Sequence, residues 1–315
     1  MFGWGTTKSS KKPKNKTVKR PSRMSCSPMV EGKTVIKDTC YTSDSLLKIK
    51  NAYNKNNQTS PINSTNPVDI FNDLNTKLSN CKKEDCWLKQ LPKNEQQYLD
   101  EYLFAPDQPS DWNKHPRKMT SMWLSNFDIF KVLHQYEQKY KNFKIIGPTP
   151  IDFDTKLPEE NQKCVWEDLC HFSLEQMLSK KINKIGIVFN LDKHDEDGSH
   201  WTSLFIDLEY NFIFYYDSAD NSVPTEVKSL IKRIREQGKQ LPNPIKFKYY
   251  TNQNHQHQTT SSECGMYALF FIITFLTDKT DYDADMTMAK KIKLFKHGTI
   301  SDKYIKSFRT IYFNN

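Results

Sequence analysis

Ser262-Glu263-Cys264-Gly265-Met266-Tyr267-Ala268-Leu269-Phe270-Phe271-Ile272-Ile273-Thr274-Phe275-Leu276 is the stretch on which the fold turns. From Cys264 onward the run is apolar on every side, with no polar stripe at helical spacing, so the segment predicts a helix buried centrally against a sheet. The run Met266–Leu276 is too short to span a bilayer. A polar loop, Thr251–Glu263, leads into it and places Cys264 at the start of the helix. Aligned peptide dipoles and first-turn N–H groups stabilise a thiolate at such a position.

Upstream lie the elements for this helix to cover. Ile185–Leu191, Trp201–Leu208 and Phe212–Tyr216 read as strands, with a hairpin connection at Asp207–Asn211. A helix is expected over about Thr225–Gln237, with Val227, Leu230, Ile231 and Ile234 inward, followed by a strand at Ile245–Tyr250. Another helix is expected over Val165–Lys180, and a short strand and turn over 143–153. The order implies an α+β layer arrangement.

Three separated segments supply one catalytic set in the order His, Asp, Gln, Cys: Gly198-Ser199-His200-Trp201, Tyr215-Tyr216-Asp217-Ser218, and Gln258 six residues before Cys264. A thiol attacks as its thiolate, so it needs an imidazole to take the proton, a carboxylate to fix the imidazole, and a donor for the oxyanion. His200 stands at the mouth of one strand and Asp217 at the end of the next. Antiparallel pairing about residues 209–210 brings both to one end of the sheet. Gln258 and the Cys264 N–H form the expected oxyanion hole, and Gly265 removes side-chain bulk where a substrate backbone passes. Each residue also has a plain structural reading: Cys264 as a core cysteine, His200 as a surface histidine, Trp201 as core. Asp220 competes with Asp217, and Gln253 and Gln256 share the loop with Gln258.

The chain has 315 residues, with 37% apolar and 13% aromatic content, enough to bury a sizeable core. Its formal net charge of +9 is uneven. Lys8, Lys11, Lys12, Lys14, Lys16, Lys19, Arg20 and Arg23 carry no acidic counterpart before residue 25, which leaves the remainder at only +1 (9 − 8). This describes a basic tail on a nearly neutral body. Lys11, Lys12, Lys14, Lys16, Lys19 and Arg20 are candidate nonspecific contacts to DNA or another anionic surface, the alternative being a solubilising tail. Seven cysteines without an apolar leader suggest a reducing compartment and free thiols. Cys81 with Cys86, and Cys164 with Cys170 and His171, lack the usual short metal-knuckle spacing, so no metal is expected. No phosphate-cradling glycine pattern occurs, and no cofactor is implied.

Residues 1–60 read as a basic, largely disordered tail and linker, 61–118 as a helical N-terminal subdomain, and 119–315 as the catalytic domain. In the subdomain Ile70, Phe71 and Leu74 recur at helical spacing, as do Tyr98, Tyr102 and Leu103. A Pro-rich loop, Pro106 to Pro116, precedes Trp123-Leu124-Ser125-Asn126 and a helix face of Ile129, Val132, Leu133 and Tyr136.

At the quoted segments the chain resembles the family of cysteine proteases that unites ubiquitin-like-protein-specific proteases with adenovirus-type maturation proteases. Its motif is a His-Trp pair, an Asp seventeen residues on in an aromatic strand, and a Gln six residues before the Cys of an acidic-Cys-Gly segment. His200-Trp201, Asp217, Gln258 and Glu263-Cys264-Gly265 match it. The resemblance selects Gln258 over Gln256 and Asp217 over Asp220. Trp123-Leu124-Ser125-Asn126 is similar to the family's Trp-Leu-Asn-Asp segment near the cleft, which makes Trp123 and Trp201 expected substrate contacts, and it departs at Ser125 and Asn126.

The resemblance implies a papain-like α+β fold with a central mixed sheet packed by helices. Within the family, the chain is most similar to processing proteases of large cytoplasmic DNA viruses, judged from Phe189-Asn190-Leu191-Asp192 and the Met266-Tyr267 continuation. This implies cleavage of viral structural precursors at Gly-Gly-X-like sites, in the virion and at assembly sites in the host cytoplasm. The alternative is an isopeptidase removing ubiquitin-like modifiers after Gly-Gly.

Overall fold

The computed structural model describes residues 21–109, 123–260, 262–277 and 286–314. The basic run Lys8–Arg20 and most of the Pro-rich loop fall outside these residues. The chain divides into two compact units, one formed by residues up to Arg23 with Lys33–Leu99, the other by Met24–Gly32 with Asp100–Asn315.

The first unit is helical. Thr42 caps the helix Ser43–Asn56 through a reciprocal pair with Ser45, and Asn66 caps Pro67–Lys77, whose first residue is the proline favoured there. Leu46, Ile49, Ile70, Phe71 and Leu74 are buried, and Tyr41 stacks on Trp87 at 5.1 Å between ring centroids. These observations correct the expected tail and linker over 1–60: from residue 21 onward that segment is built into the fold, and its hydrophobic residues at helical spacing are the cause. In the helix Lys93–Leu103 the buried face is Leu99 and Leu103, whereas Tyr98 stands in solvent.

The second unit is a sheet between two layers of helix. Its strands are β1 (Phe143–Pro150), β4 (Lys184–Asn190), β5 (Trp201–Asp207), β6 (Phe212–Tyr216) and β7 (Lys248–Thr251), in that spatial order. A separate two-stranded piece pairs β2 (Lys156–Leu157) with β3 (Lys163–Cys164). The β1–β4 and β6–β7 pairs are parallel and the two between them antiparallel, so the sheet is mixed.

Alternation along the strands sorts the core. Phe205, Phe212, Phe214 and Tyr216 face the helix Cys264–Leu276, while Leu204, Ile206, Ile213 and Tyr215 face the helix Thr225–Gln240. All residues of Cys264–Leu276 are buried, which the lack of a polar stripe required. Each fully buried Phe or Leu there contributes about 1.5–3 kcal/mol, so the helix has no competing surface position.

The expected helix over Val165–Lys180 is instead two short helices, Glu167–Cys170 and Leu174–Ser179, that follow β3. Ser173 interrupts it by capping the second helix, accepting from the Gln176 N–H. Cys164 and Cys170 are bonded to each other across this segment, and Cys81 to Cys86 in the first unit, with Cα separations of 6.3 and 5.6 Å. The reading of these four as thiols is thereby corrected: sequence separations of five and six residues bring the Cα atoms within disulfide reach.

Candidate active site

The β5–β6 hairpin sets the site. Ser203 pairs with Tyr216, so His200, just before β5, and Asp217, just after β6, emerge at the same end of the sheet. His200 Nε2 lies 2.6 Å from Asp217 Oδ1. Asp217 is almost wholly buried and accepts three further hydrogen bonds, from the Ala219 and Asn221 backbone N–H groups and the Asn221 side chain. Asn252 clamps its main chain, accepting from the Asp217 N–H and donating to its carbonyl. The carboxylate is therefore held as a fixed acceptor, and its competitor Asp220 accepts from the Asn254 backbone instead.

With Nε2 committed to Asp217, Nδ1 is the nitrogen left to face the thiol. Burial works against a charged ring at His200. The hydrogen bonds and charges of Asp217 and Cys264 outweigh it, and the pKa is pushed up from the ordinary 6.5 to about 10. A cation kept beside a cysteine favours the thiolate. Cys264 is a free cysteine, buried at the first position of its helix. That helix has no side-chain cap, because the Glu263 carboxylate turns away to accept from Nε and Nη2 of Arg309 at 3.1 and 3.0 Å.

Gln258 is held at both ends of its amide. Oε1 accepts from the Ser218 hydroxyl at 2.7 Å, and Nε2 donates to the Thr260 carbonyl. These partners fix which end is nitrogen, and an amide nitrogen carries a second N–H beyond the one Thr260 takes. The Gln258 and His257 N–H groups both donate to the Ser218 carbonyl, tying this loop to the residue after Asp217. Gln256 instead donates its side-chain amide to the Gln258 carbonyl.

A cleft of about 600 Å³ has walls that include Trp123, Leu124, Asn126, Val165, Trp166 and Trp201, the last next to His200 in the chain. Trp201 is mostly core, and its indole N–H donates to the Leu124 carbonyl at 2.9 Å, which fixes the cleft wall against the strand that carries His200. Ser125 and Asp128 form a capping box for the helix Asn126–Lys139, which accounts for serine at this position. Gly265, like Cys264, is not among the residues of the cleft walls. It is buried against the start of that helix, where an added Cβ would lie 3.1 Å from Leu124 Cβ and 3.3 Å from Ile129 Cδ1. Its smallness serves packing.

Sequence reasoning missed Asn252, Asn221 and Ser218, which hold the set in place, and Trp166 in the cleft wall. Each is an isolated residue in a polar loop or turn and has no periodicity to mark it. Among the described residues, Cys164, Cys170 and His171 form one cluster with ligand atoms within 4.8 Å, yet the two sulfurs are joined to each other and present no thiolates.

A thiol, an imidazole and a buried carboxylate in this order, on a sheet end and a helix N-terminus, define a cysteine protease, and the relatives agree with that class. Residues 173–313 match the model of the Ulp1 protease family, C-terminal catalytic domain. It is 26% identical over 298 residues to a protein of Acanthamoeba polyphaga mimivirus that carries the name thiol protease, covering 88% of this chain and 90% of that one. It is 30% identical over 163 residues to the SUMO-1 cysteine protease of African swine fever virus, covering 50% of this chain and 59% of that protein. A crystal structure of a protease from the same virus superposes with a TM-score of 0.59 at 21% identity, over 93% of this chain and 96% of that one, which establishes the shared fold.

Proposed function

We propose that this protein is an endopeptidase that cuts viral structural precursors at Gly-Gly-X-like sites during virion maturation, with Cys264 as nucleophile and His200 as general base and acid. The observation that carries the reading is the His200–Asp217 pair together with a free cysteine, Cys264, at the N-terminus of the buried helix. His200 takes the thiol proton and the sulfur attacks the scissile carbonyl carbon, moving the C=O electron pair onto oxygen. That oxyanion meets the Cys264 N–H and the Gln258 amide. Collapse expels the amine, protonated by His200, and leaves an acyl-enzyme. His200 then deprotonates a water that attacks the acyl carbon, and the thiolate departs.

The aromatic walls at Trp123 and Trp201 suit a chain with small residues before the scissile bond. A second reading is favoured by the name SUMO-1 cysteine protease carried by the African swine fever virus relative: an isopeptidase acting after a terminal Gly-Gly. Incubating one active sample with a structural precursor containing Gly-Gly-X junctions and with ubiquitin-like conjugates separates the two. Faster cleavage of the precursor is expected, and efficient cleavage of conjugates alone overturns the order.

The basic run Lys11, Lys12, Lys14, Lys16, Lys19 and Arg20 is assigned as a tether to DNA or an anionic assembly surface, in the virion or at cytoplasmic assembly sites. It acts on local concentration and leaves the chemistry alone. Ser22 is already tied to Lys82, so truncation belongs after residue 20. Removing 1–20 is expected to abolish low-salt DNA retention while peptide cleavage stays within about twofold of the full chain. Undiminished DNA binding by the truncated protein defeats the tether.

A further inference from the structure

The loop between β7 and the nucleophile is strapped along its length to the segment 295–309. A carbonyl oxygen only accepts, so His255 Nε2 donates to Gly298 at 2.5 Å and His257 Nε2 to Phe295 at 2.9 Å. Asp302, itself 8% exposed, then gathers the middle of the loop. Its Oδ2 accepts from the Thr259 N–H at 3.1 Å, the Thr260 N–H at 2.9 Å and the Thr259 hydroxyl, and its Oδ1 lies 2.9 Å from the Tyr267 hydroxyl on the buried helix. At the far end Arg309 holds Glu263.

Only one of these anchors bears directly on the oxyanion. Thr260, fixed by Asp302 at its N–H, supplies the carbonyl that receives Gln258 Nε2, and Ser218 fixes the other end of the same amide. We infer that Asp302 is a positioning residue for the oxyanion hole: a buried carboxylate that sets the Thr259–Thr260 backbone and, through it, the direction of the Gln258 amide. The inference rests on the assignment of Gln258 as oxyanion donor. Asp302 makes no contact with the reacting atoms. It works by preorganisation, since an oxyanion donor contributes only if it is already aimed when charge develops.

The test compares Gln258→Ala, Asp302→Ala and Asp302→Asn, each checked for folding by circular dichroism. The readouts are kcat and KM on a peptide the wild type cleaves, and the rate of Cys264 alkylation by iodoacetamide. Alkylation displaces iodide at a saturated carbon and develops no oxyanion, so it reports the thiolate alone. Removing one oxyanion donor lowers kcat by about 10²–10³-fold, which bounds the effect of misaiming it. Asp302→Ala is expected to lower kcat roughly 10–100-fold with KM within about twofold and alkylation unchanged. Asp302→Asn keeps an acceptor but not the charge, is expected to lose less, and carries the test if the alanine variant does not fold. The double variant Gln258→Ala/Asp302→Ala is expected to be no slower than Gln258→Ala alone.

An Asp302 variant with wild-type kcat, or one whose alkylation falls in step with kcat, overturns the inference. A Gln258→Ala enzyme with full kcat instead overturns the oxyanion assignment on which it stands.

Discussion

Cys264→Ala is expected to remove hydrolysis almost completely, by roughly 10⁴-fold or more, as loss of the nucleophile does where a triad acts as a unit. The substitution takes one sulfur out of a buried, fully packed helix start and leaves the backbone N–H in place. Substrate binding should therefore survive. Single-turnover cleavage of a peptide, together with direct titration of its binding, checks both halves. An alanine variant that keeps normal turnover sinks the thiol mechanism, and one that loses binding as well shows that the cleft depends on the sulfur. Residual hydrolysis from the oxyanion hole and binding alone sets the floor.

Asp217→Asn has the second largest expected effect and a characteristic pH signature. An amide of the same shape cannot hold the imidazolium as a carboxylate does, so kcat/KM should fall by about 10²–10⁴-fold. In the wild type, His200 is pushed up to about 10, so the reactive imidazolium persists through neutrality and the alkaline limb of kcat/KM lies near that value. Two of the influences that raise the pKa, a hydrogen bond and a charge, come from Asp217, while burial lowers it. The variant's alkaline limb should therefore move down, toward neutral pH. A limb that stays in place assigns it to another group.

The same shift has a stability sign. The folded pKa of His200 is raised above its ordinary 6.5, so the stabilisation is whole below about 6.5 and is lost as pH rises through about 10. Asp217→Asn weakens that dependence, since the influence of Cys264 remains, and thermal melts across the same range detect the change.

How much of this was legible in sequence follows from what each element depends on. The buried helix read correctly because thirteen consecutive buried positions leave no other placement. The strands β5 and β6 read nearly as well because both faces are covered and aromatic, and their pairing alone predicted that His200 and Asp217 share a sheet end. What the sequence hid was either a partner far along the chain or a capping preference inside an apolar run. Gly265 packs against Leu124 and Ile129, about 140 residues away, a role that its sequence neighbours do not mark. The helix expected over Val165–Lys180 carried the right apolar residues but was divided by the capping preference of Ser173. Asn252 and Asp302 look like any loop asparagine or helix-start aspartate, and only their burial sets them apart.

The β5–β6 hairpin also acts as a ruler that counts in twos. Lengthening each strand by one residue preserves the pairing yet turns every later side chain to the opposite face of the sheet. The separation of seventeen between base and carboxylate is thus a matter of register: a residue added to one strand alone slips the pairing, whereas equal additions to both keep it. Insertions compatible with the pairing must fall outside the ruler, as in the segment 191–199, where the backbone carries no alternation to disturb.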